Sequence, residues 1–187
     1  MTCKIIIGLT GTILSGKTQA LNAFKKLGAY TISSDQIVHE LLNKPAVQKE
    51  INKIFKTTDR IELAHQIFKD KSKRKKLEAI LHPKVMREAS RQVKLTAKKV
   101  IAFEVPLLFE AKLEKYFDII LCVYADEKTL LKRVKQRGMT KQDFTARSAA
   151  QLSAAEKARR ADIVIFNNGA VKDLDVKIKK MFKIINK

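Results

Sequence analysis

The stretch Lys4-Ile5-Ile6-Ile7-Gly8-Leu9-Thr10-Gly11-Thr12-Ile13-Leu14-Ser15-Gly16-Lys17-Thr18 decides how the rest of this chain is read. Its first half is a short apolar run of the kind that forms a buried strand, and its second half fits the spacing G-x-x-x-x-G-K-[ST]. A loop of this kind turns through small residues so that backbone N–H groups converge, and it opens a helix whose positive dipole end faces the same point. A polyphosphate fits there, with Lys17 reaching the β- and γ-phosphates and the Thr18 hydroxyl serving as a ligand of the accompanying Mg²⁺. The expected nucleotide-binding residues are Gly11, Thr12, Ile13, Leu14, Ser15, Gly16, Lys17, Thr18 and Gln19, with Thr18 the expected metal ligand.

Working outward, further apolar runs recur at Tyr30 to Ser33, Val100 to Glu104, Asp118 to Tyr124 and Asp162 to Phe166, with helical stretches between them. Strands that alternate with helices pair in parallel through right-handed crossovers, and near-continuous apolar strands belong to a sheet covered on both faces. The expected fold is a three-layer α/β domain around a parallel five-stranded sheet. Between Ser34 and Ala97 no strand appears. That segment reads as several short charged helices, with Pro45 and Pro83 placed for first turns, and is expected to be an acceptor-binding insert spanning 34–97. From Leu130 to Arg160, Arg133, Arg137, Arg147, Arg159 and Arg160 gather around Gly138, Thr140 and Ser153. Arginine forks match phosphate oxygens, so 130–160 is expected to be a lid, the alternative being a solvated helix pair. The core is then 1–33, 98–129 and 161–187.

A chain of 187 residues suffices for one such domain. No run approaches the roughly 20 apolar residues that span a bilayer, and no leader pattern precedes the first strand, so a cytoplasmic location without membrane contact is expected. Cys3 and Cys122 lie in apolar runs without metal-ligand spacing and are expected to be buried thiols. The net charge of +20 attracts polyanions, yet lysine-rich helix surfaces account for it equally well, and aromatics are only 6% of the chain. No RNA-binding signature accompanies the basic residues, so a nucleic-acid partner is not expected.

D-x-x-G with N-K-x-D, the GTPase pattern, is missing, and so is an L-S-G-G-Q-like transporter signature. Size, insert and arginine-rich segment indicate a kinase of small metabolites. Gly8-Leu9-Thr10-Gly11, the loop itself, Leu27-Gly28-Ala29, Asp35-Gln36-Ile37-Val38-His39, Leu81-His82-Pro83, Val105-Pro106-Leu107-Leu108-Phe109-Glu110 and Ala161-Asp162 through Asn167-Asn168-Gly169 together resemble the dephospho-CoA kinase family across nearly the whole chain. The resemblance implies a P-loop kinase that uses ATP and Mg²⁺ to phosphorylate the ribose 3′-hydroxyl of dephospho-CoA. Another nucleoside or nucleotide kinase of this fold, or a nucleotide- or RNA-binding relative that has lost the reaction, are the alternative readings.

Asp35 lies just past the second strand, at the sheet's carboxyl edge, where it is either the base for the attacking hydroxyl or an N-cap; the resemblance implies the base. Ser33 and Ser34 stand where the family has an Asp and a small residue, and Glu104, ending its strand, is the candidate to supply the missing charge. Arg133 matches the family's lid arginine, with Arg137 on the same helix face; its replacement by Ala is expected to cut turnover with little change in melting temperature. The resemblance implies that Arg60 meets acceptor phosphates, the alternative being a surface charge; the loop Asn167-Asn168-Gly169 is expected near adenine because turn-forming residues bring backbone groups close to flat ligands, and His82 is expected to be structural at the start of a long helix. Thr12 and Leu14 replace glycines that relatives carry in the loop. A side chain at φ > 0 there costs about 1 kcal/mol.

Overall fold

The computed structural model describes residues 4–186, and for Phe68 and Lys69 the backbone only. It divides into two compact units: one made of residues up to Ser33 together with those from Ala97 onward, the other of Ser34–Thr96.

The first unit holds a parallel sheet of β1 (Ile5–Thr10), β2 (Tyr30–Ser33), β3 (Val100–Glu104), β4 (Ile119–Tyr124) and β5 (Ile163–Phe166), in the order β2-β3-β1-β4-β5. Ile7 and Leu9 of β1 point to one face. There α1 (Lys17–Lys26) and α9 (Val171–Ile185) close over them with Phe24, Leu174 and Ile178, all at most 1% exposed. On the other face Gly8 leaves room for Leu108 and Phe117, since a Cβ there would lie 2.7 Å from each side chain. α8 (Ala154–Arg160) packs beneath β4. The result is a three-layer α/β arrangement whose strands are apolar on both faces because both are covered. Two further helices, α6 (Glu127–Gln136) and α7 (Lys141–Ser148), follow β4. Asp126, Thr140 and Ser153 cap α6, α7 and α8 by accepting first-turn amides, as short polar residues at helix starts do.

Strand register brings specific ends together. Leu9 and Ser33 both stand opposite Glu104, one on each side of β3, and Thr10 stands opposite Cys122. Cys122 is a buried free thiol, pushed up to about 11 by burial, while the expectation for Cys3 falls outside the described residues.

The second unit contains α2 (Ser34–Leu41), α3 (Pro45–Phe55), α4 (Arg60–Lys69) and α5 (Lys71–Leu95). Pro45 is the first residue of α3, the position where its fixed φ and missing N–H cost nothing. Asp59 and Asp70 cap α4 and α5. Pro83 does not start a helix; it sits within the 25-residue α5, and His82 is mid-helix with it. The ring removes the bond to the Ala79 carbonyl, and Pro83 and Ala79 are both exposed, so the interruption falls on the solvent side of the helix. Leu77, Ile80, Leu81, Val85 and Ala89 meanwhile bury the opposite stripe and hold the helix through the interruption.

Candidate active site

β1 runs without a break into the phosphate-loop sequence, and α1 starts at Lys17, as the spacing requires. The first intrahelical bond of α1 runs from Ala20 N to Gly16 O, so the amides of Lys17, Thr18 and Gln19 form the helix's N-terminal turn. Gly16 adopts φ 105°, and a Cβ there would collide with the Asn167 side-chain amide. Leu14 also lies in the left-handed region, at φ 62°, whereas Thr12 is not among the positive-φ residues. The strain expected at one of the two replaced glycines therefore falls on Leu14 alone. Ser15 N donates to Thr12 O at 3.1 Å and closes the turn that forces it.

The loop is braced from three sides. Arg133 of α6 donates through Nη1 to Leu14 O (2.9 Å) and Ser15 O (3.0 Å), and through Nη2 to Asn167 O (2.8 Å). Asn167, 2% exposed, donates its side-chain amide to Ser15 O at 2.8 Å. Gln151 accepts the Ile13 amide at 2.9 Å. Burial pulls the Arg133 guanidinium below its ordinary pKa; Asp126 opposes that shift and Arg137 adds to it. The group remains a cation, because an arginine starts far above neutrality.

At the loop's far end Lys17, 8% exposed, donates to Thr12 O at 2.9 Å, and the Thr18 hydroxyl donates to Glu104 Oε1 at 3.1 Å. Glu104 is buried at 5% exposure and registers with Ser33, so a carboxylate stands beside the serine at the end of β2. Two hydroxyls of the loop, Thr12 Oγ1 and Ser15 Oγ, are buried without a hydrogen-bond partner. Buried hydroxyls of this kind are rare unless something else satisfies them, and a polyanion cradled by the loop is the kind of group that would. No cluster of three or more His, Cys, Asp or Glu suited to a metal occurs among the described residues. The Thr18–Glu104 pair still suits Mg²⁺, which usually takes one or two protein oxygens and completes its shell with water and phosphate.

The remaining candidates are spread across the two units. Asp35 is exposed in the first turn of α2, in the second unit; because α2 begins at Ser34 and ends at Leu41, Asp35 is its second residue and not an N-cap. Arg60 is anchored in the same unit, with Nη1 2.9 Å from His39 Nδ1 and Nη2 2.7 Å from Asn43 Oδ1. Arg137 is exposed at the end of α6. Two arginines of the cluster read as a lid are engaged elsewhere: Arg159 pairs with Glu156 at 2.8 Å, and Arg160 pairs with Glu114 and stacks over Phe109. The Asn167 and Asn168 side chains serve the framework, Asn168 accepting the Asp126 amide at 3.0 Å. Gln151 and the bracing role of Asn167 were not legible in the sequence. Their partners lie 138 and 152 positions away, and no local pattern announces such pairs.

A sequence profile described as dephospho-CoA kinase matches residues 5–173. The chain is 35% identical to the dephospho-CoA kinase of Fusobacterium nucleatum over 97% of its own length and 98% of that protein's. Among solved structures it resembles dephospho-CoA kinase from Campylobacter jejuni, with a TM-score of 0.68, 25% identity and 96% of each chain covered. The fold is shared with shikimate kinase from Acinetobacter baumannii, at a TM-score of 0.55 and 17% identity, over 100% of this chain and 96% of that one. No helix among the described residues is long and apolar enough to cross a membrane.

Proposed function

The chain belongs to the dephospho-CoA kinase family, and on that premise we propose how its own residues transfer the ATP γ-phosphoryl group to the ribose 3′-hydroxyl of dephospho-CoA. It is an ATP-dependent kinase of the P-loop fold acting on dephospho-CoA in the last step of CoA biosynthesis. The readings as a different nucleotide kinase or as a reaction-less binding protein are not favoured.

The observation that supports the assignment of roles most directly is the Thr18–Glu104 contact at the end of the loop. It joins a motif hydroxyl to a buried strand-end carboxylate, the pair of oxygens a nucleotide's metal needs. Thr18 and Glu104 would hold a Mg²⁺, which when bound would supply charge compensation to the phosphates. The loop from Gly11 to Thr18, with Gln19 and Arg137, holds the nucleotide. Lys17 leaves the Thr12 carbonyl for the phosphates, and the charge of Arg133 sits behind the loop it braces. Asp35 accepts the proton of the 3′-hydroxyl as the new P–O bond forms and ADP leaves with the electrons of the broken one. In this reading residues 34–97 receive the acceptor and 130–160 act as the lid over a core of 1–33, 98–129 and 161–187. The enzyme works in the cytoplasm on small molecules, without a nucleic-acid or membrane partner.

Release of ADP, measured with and without dephospho-CoA, tests the reading. Turnover should depend on the acceptor, and Asp35→Asn should lower it by about 10² or more while ATP binding persists. Acceptor-independent ADP release would contradict transfer to dephospho-CoA, and full activity of the Asn variant would remove Asp35 from the reaction.

A further inference from the structure

One amide of the phosphate loop is taken up by a side chain from another part of the chain. Ile13 N–H is directed to Gln151 Oε1 at 2.9 Å, and Gln151 stands in the short connection between α7 and α8. That connection is fixed to the sheet by an arrangement the phosphoryl transfer does not otherwise use. Glu110 Oε1 accepts the neighbouring Leu152 amide at 2.7 Å and the Lys157 ammonium at 2.8 Å. Lys157, 0% exposed, also donates to Pro106 O at 2.6 Å. Pro106 lies two residues past Glu104, and its carbonyl also accepts the Thr10 hydroxyl at 3.4 Å. A fully buried ammonium needs this many partners, because an unpaired charge in that position is costly; the pair is therefore a fixed point and not a surface contact.

We propose that Gln151 is a positioning residue for ATP: held by the Glu110–Lys157 pair, its amide oxygen fixes the Ile13 N–H and thereby sets the turn that aims the following loop amides at the phosphates. The inference rests on the loop binding ATP as described above. The turn needs such an anchor. Leu14, immediately after Ile13, is in the left-handed region that side chains disfavour, so the loop keeps this shape only if its neighbours impose it. Arg133 and Asn167 hold the carbonyls of Leu14 and Ser15, and Gln151 holds the amide on the preceding side. Because Gln151 lies within the segment read as the lid, the same contact ties that segment and the loop together.

The test uses the full-length enzyme, ¹⁵N-labelled, with Gln151→Met, which keeps the length and removes the acceptor, and Gln151→Glu, which keeps an acceptor and adds a charge. In the Met variant, Ile13 amide exchange should accelerate by about tenfold or more, and KM for ATP should rise by about tenfold, the scale of one lost hydrogen bond to a half-buried donor. KM for dephospho-CoA should stay within about twofold, a split that general loosening of the fold would not give. In the Glu variant Ile13 exchange should return to the native rate while KM for ATP stays raised, because the carboxylate repels the phosphates. Unchanged Ile13 exchange in the Met variant, fast exchange with an unmoved KM for ATP, or equal exchange in both variants would overturn the proposal. Should the Met variant fail to fold, the native enzyme decides: Ile13 must exchange slowly without nucleotide, and rapid exchange there refutes the contact. The exchange arms need no turnover, so they separate failure of this inference from failure of the kinase reading.

Discussion

Replacing Arg133 by Ala removes three hydrogen bonds from a cationic fork to the carbonyls of Leu14, Ser15 and Asn167. Taken singly, a bond to a charged donor is worth roughly 1.5–3 kcal/mol, but these do not add in full. The guanidinium is only half-buried, so water reaches part of the vacated space, and Ser15 O keeps its bond from the Asn167 amide. About 2 kcal/mol is a reasonable total, and for a domain of this size that lowers the melting temperature by about 4–8 °C. The sequence alone suggests a different outcome, a catalytic loss with the melting temperature nearly unmoved, because it shows a lid cation and not its carbonyl partners. Turnover should fall by about 10³, since the loop relaxes and a positive charge leaves the phosphate site. Arg133→Lys should recover part of the stability and little of the rate, a compact ammonium being unable to span three acceptors in two segments. Differential scanning calorimetry and the ADP-release assay on the same samples check both. A melting temperature within 1 °C of native for the Ala variant would refute the bracing argument, and turnover within about threefold would refute any role in the reaction.

Glu104→Gln keeps the hydrogen bond from Thr18 but removes the charge, so the Mg²⁺ concentration for half-maximal activity should rise by about tenfold or more; an unchanged requirement detaches Glu104 from the metal. Leu14→Gly exchanges about 1 kcal/mol of left-handed strain for a similar entropic cost, while Leu14→Val adds β-branching at φ 62°. Thermal melts should therefore show Gly close to native and Val clearly below it, and equal tolerance of the two would contradict the backbone assignment. Glu88 is held at about 2, first by the Arg91 hydrogen bond and then by Gln92. Its folded-state value lies below the ordinary 4.5, so the stability it contributes is present above that pH and is lost as pH falls toward 2. Glu88→Gln should cost about 1 kcal/mol near neutrality, the Arg91 end of the pair being open to solvent, and nothing in urea melts near pH 2; a cost that persists in acid would mean the effect is packing and not charge.

Sequence periodicity reaches far into this fold because its strands are covered on both sides. Apolar runs at Ile5–Thr10, Tyr30–Ser33 and Val100–Glu104 have the bounds of β1, β2 and β3, and β4 and β5 each begin one residue after the acidic residue that opened the expected run. Asp118 and Asp162 donate their own amides to Ile6 O and Ile120 O, and their carboxylates accept the amides of the same two residues, so each closes the start of its strand with a side chain in place of a further ladder bond. The α5 segment was less legible. Proline is a local signal for a helix start, whereas the stripe from Leu77 to Ala89 that carries the helix through Pro83 depends on burial.

The sequence by itself determined the strand–loop–helix unit, its glycines, Lys17 and Thr18, since a phosphate cradle is built from consecutive residues whose spacing follows from backbone geometry. It also marked Leu14 and Ser33 as departures from the family's pattern. Only the tertiary structure decided what those departures meet. Glu104 stands in register beside Ser33 and touches Thr18, and Arg133, Asn167 and Gln151 converge on the loop from more than a hundred positions away. Contacts at such separation are set by strand order and packing, in which each side chain's direction depends on every crossover before it. No local run of residues encodes that direction.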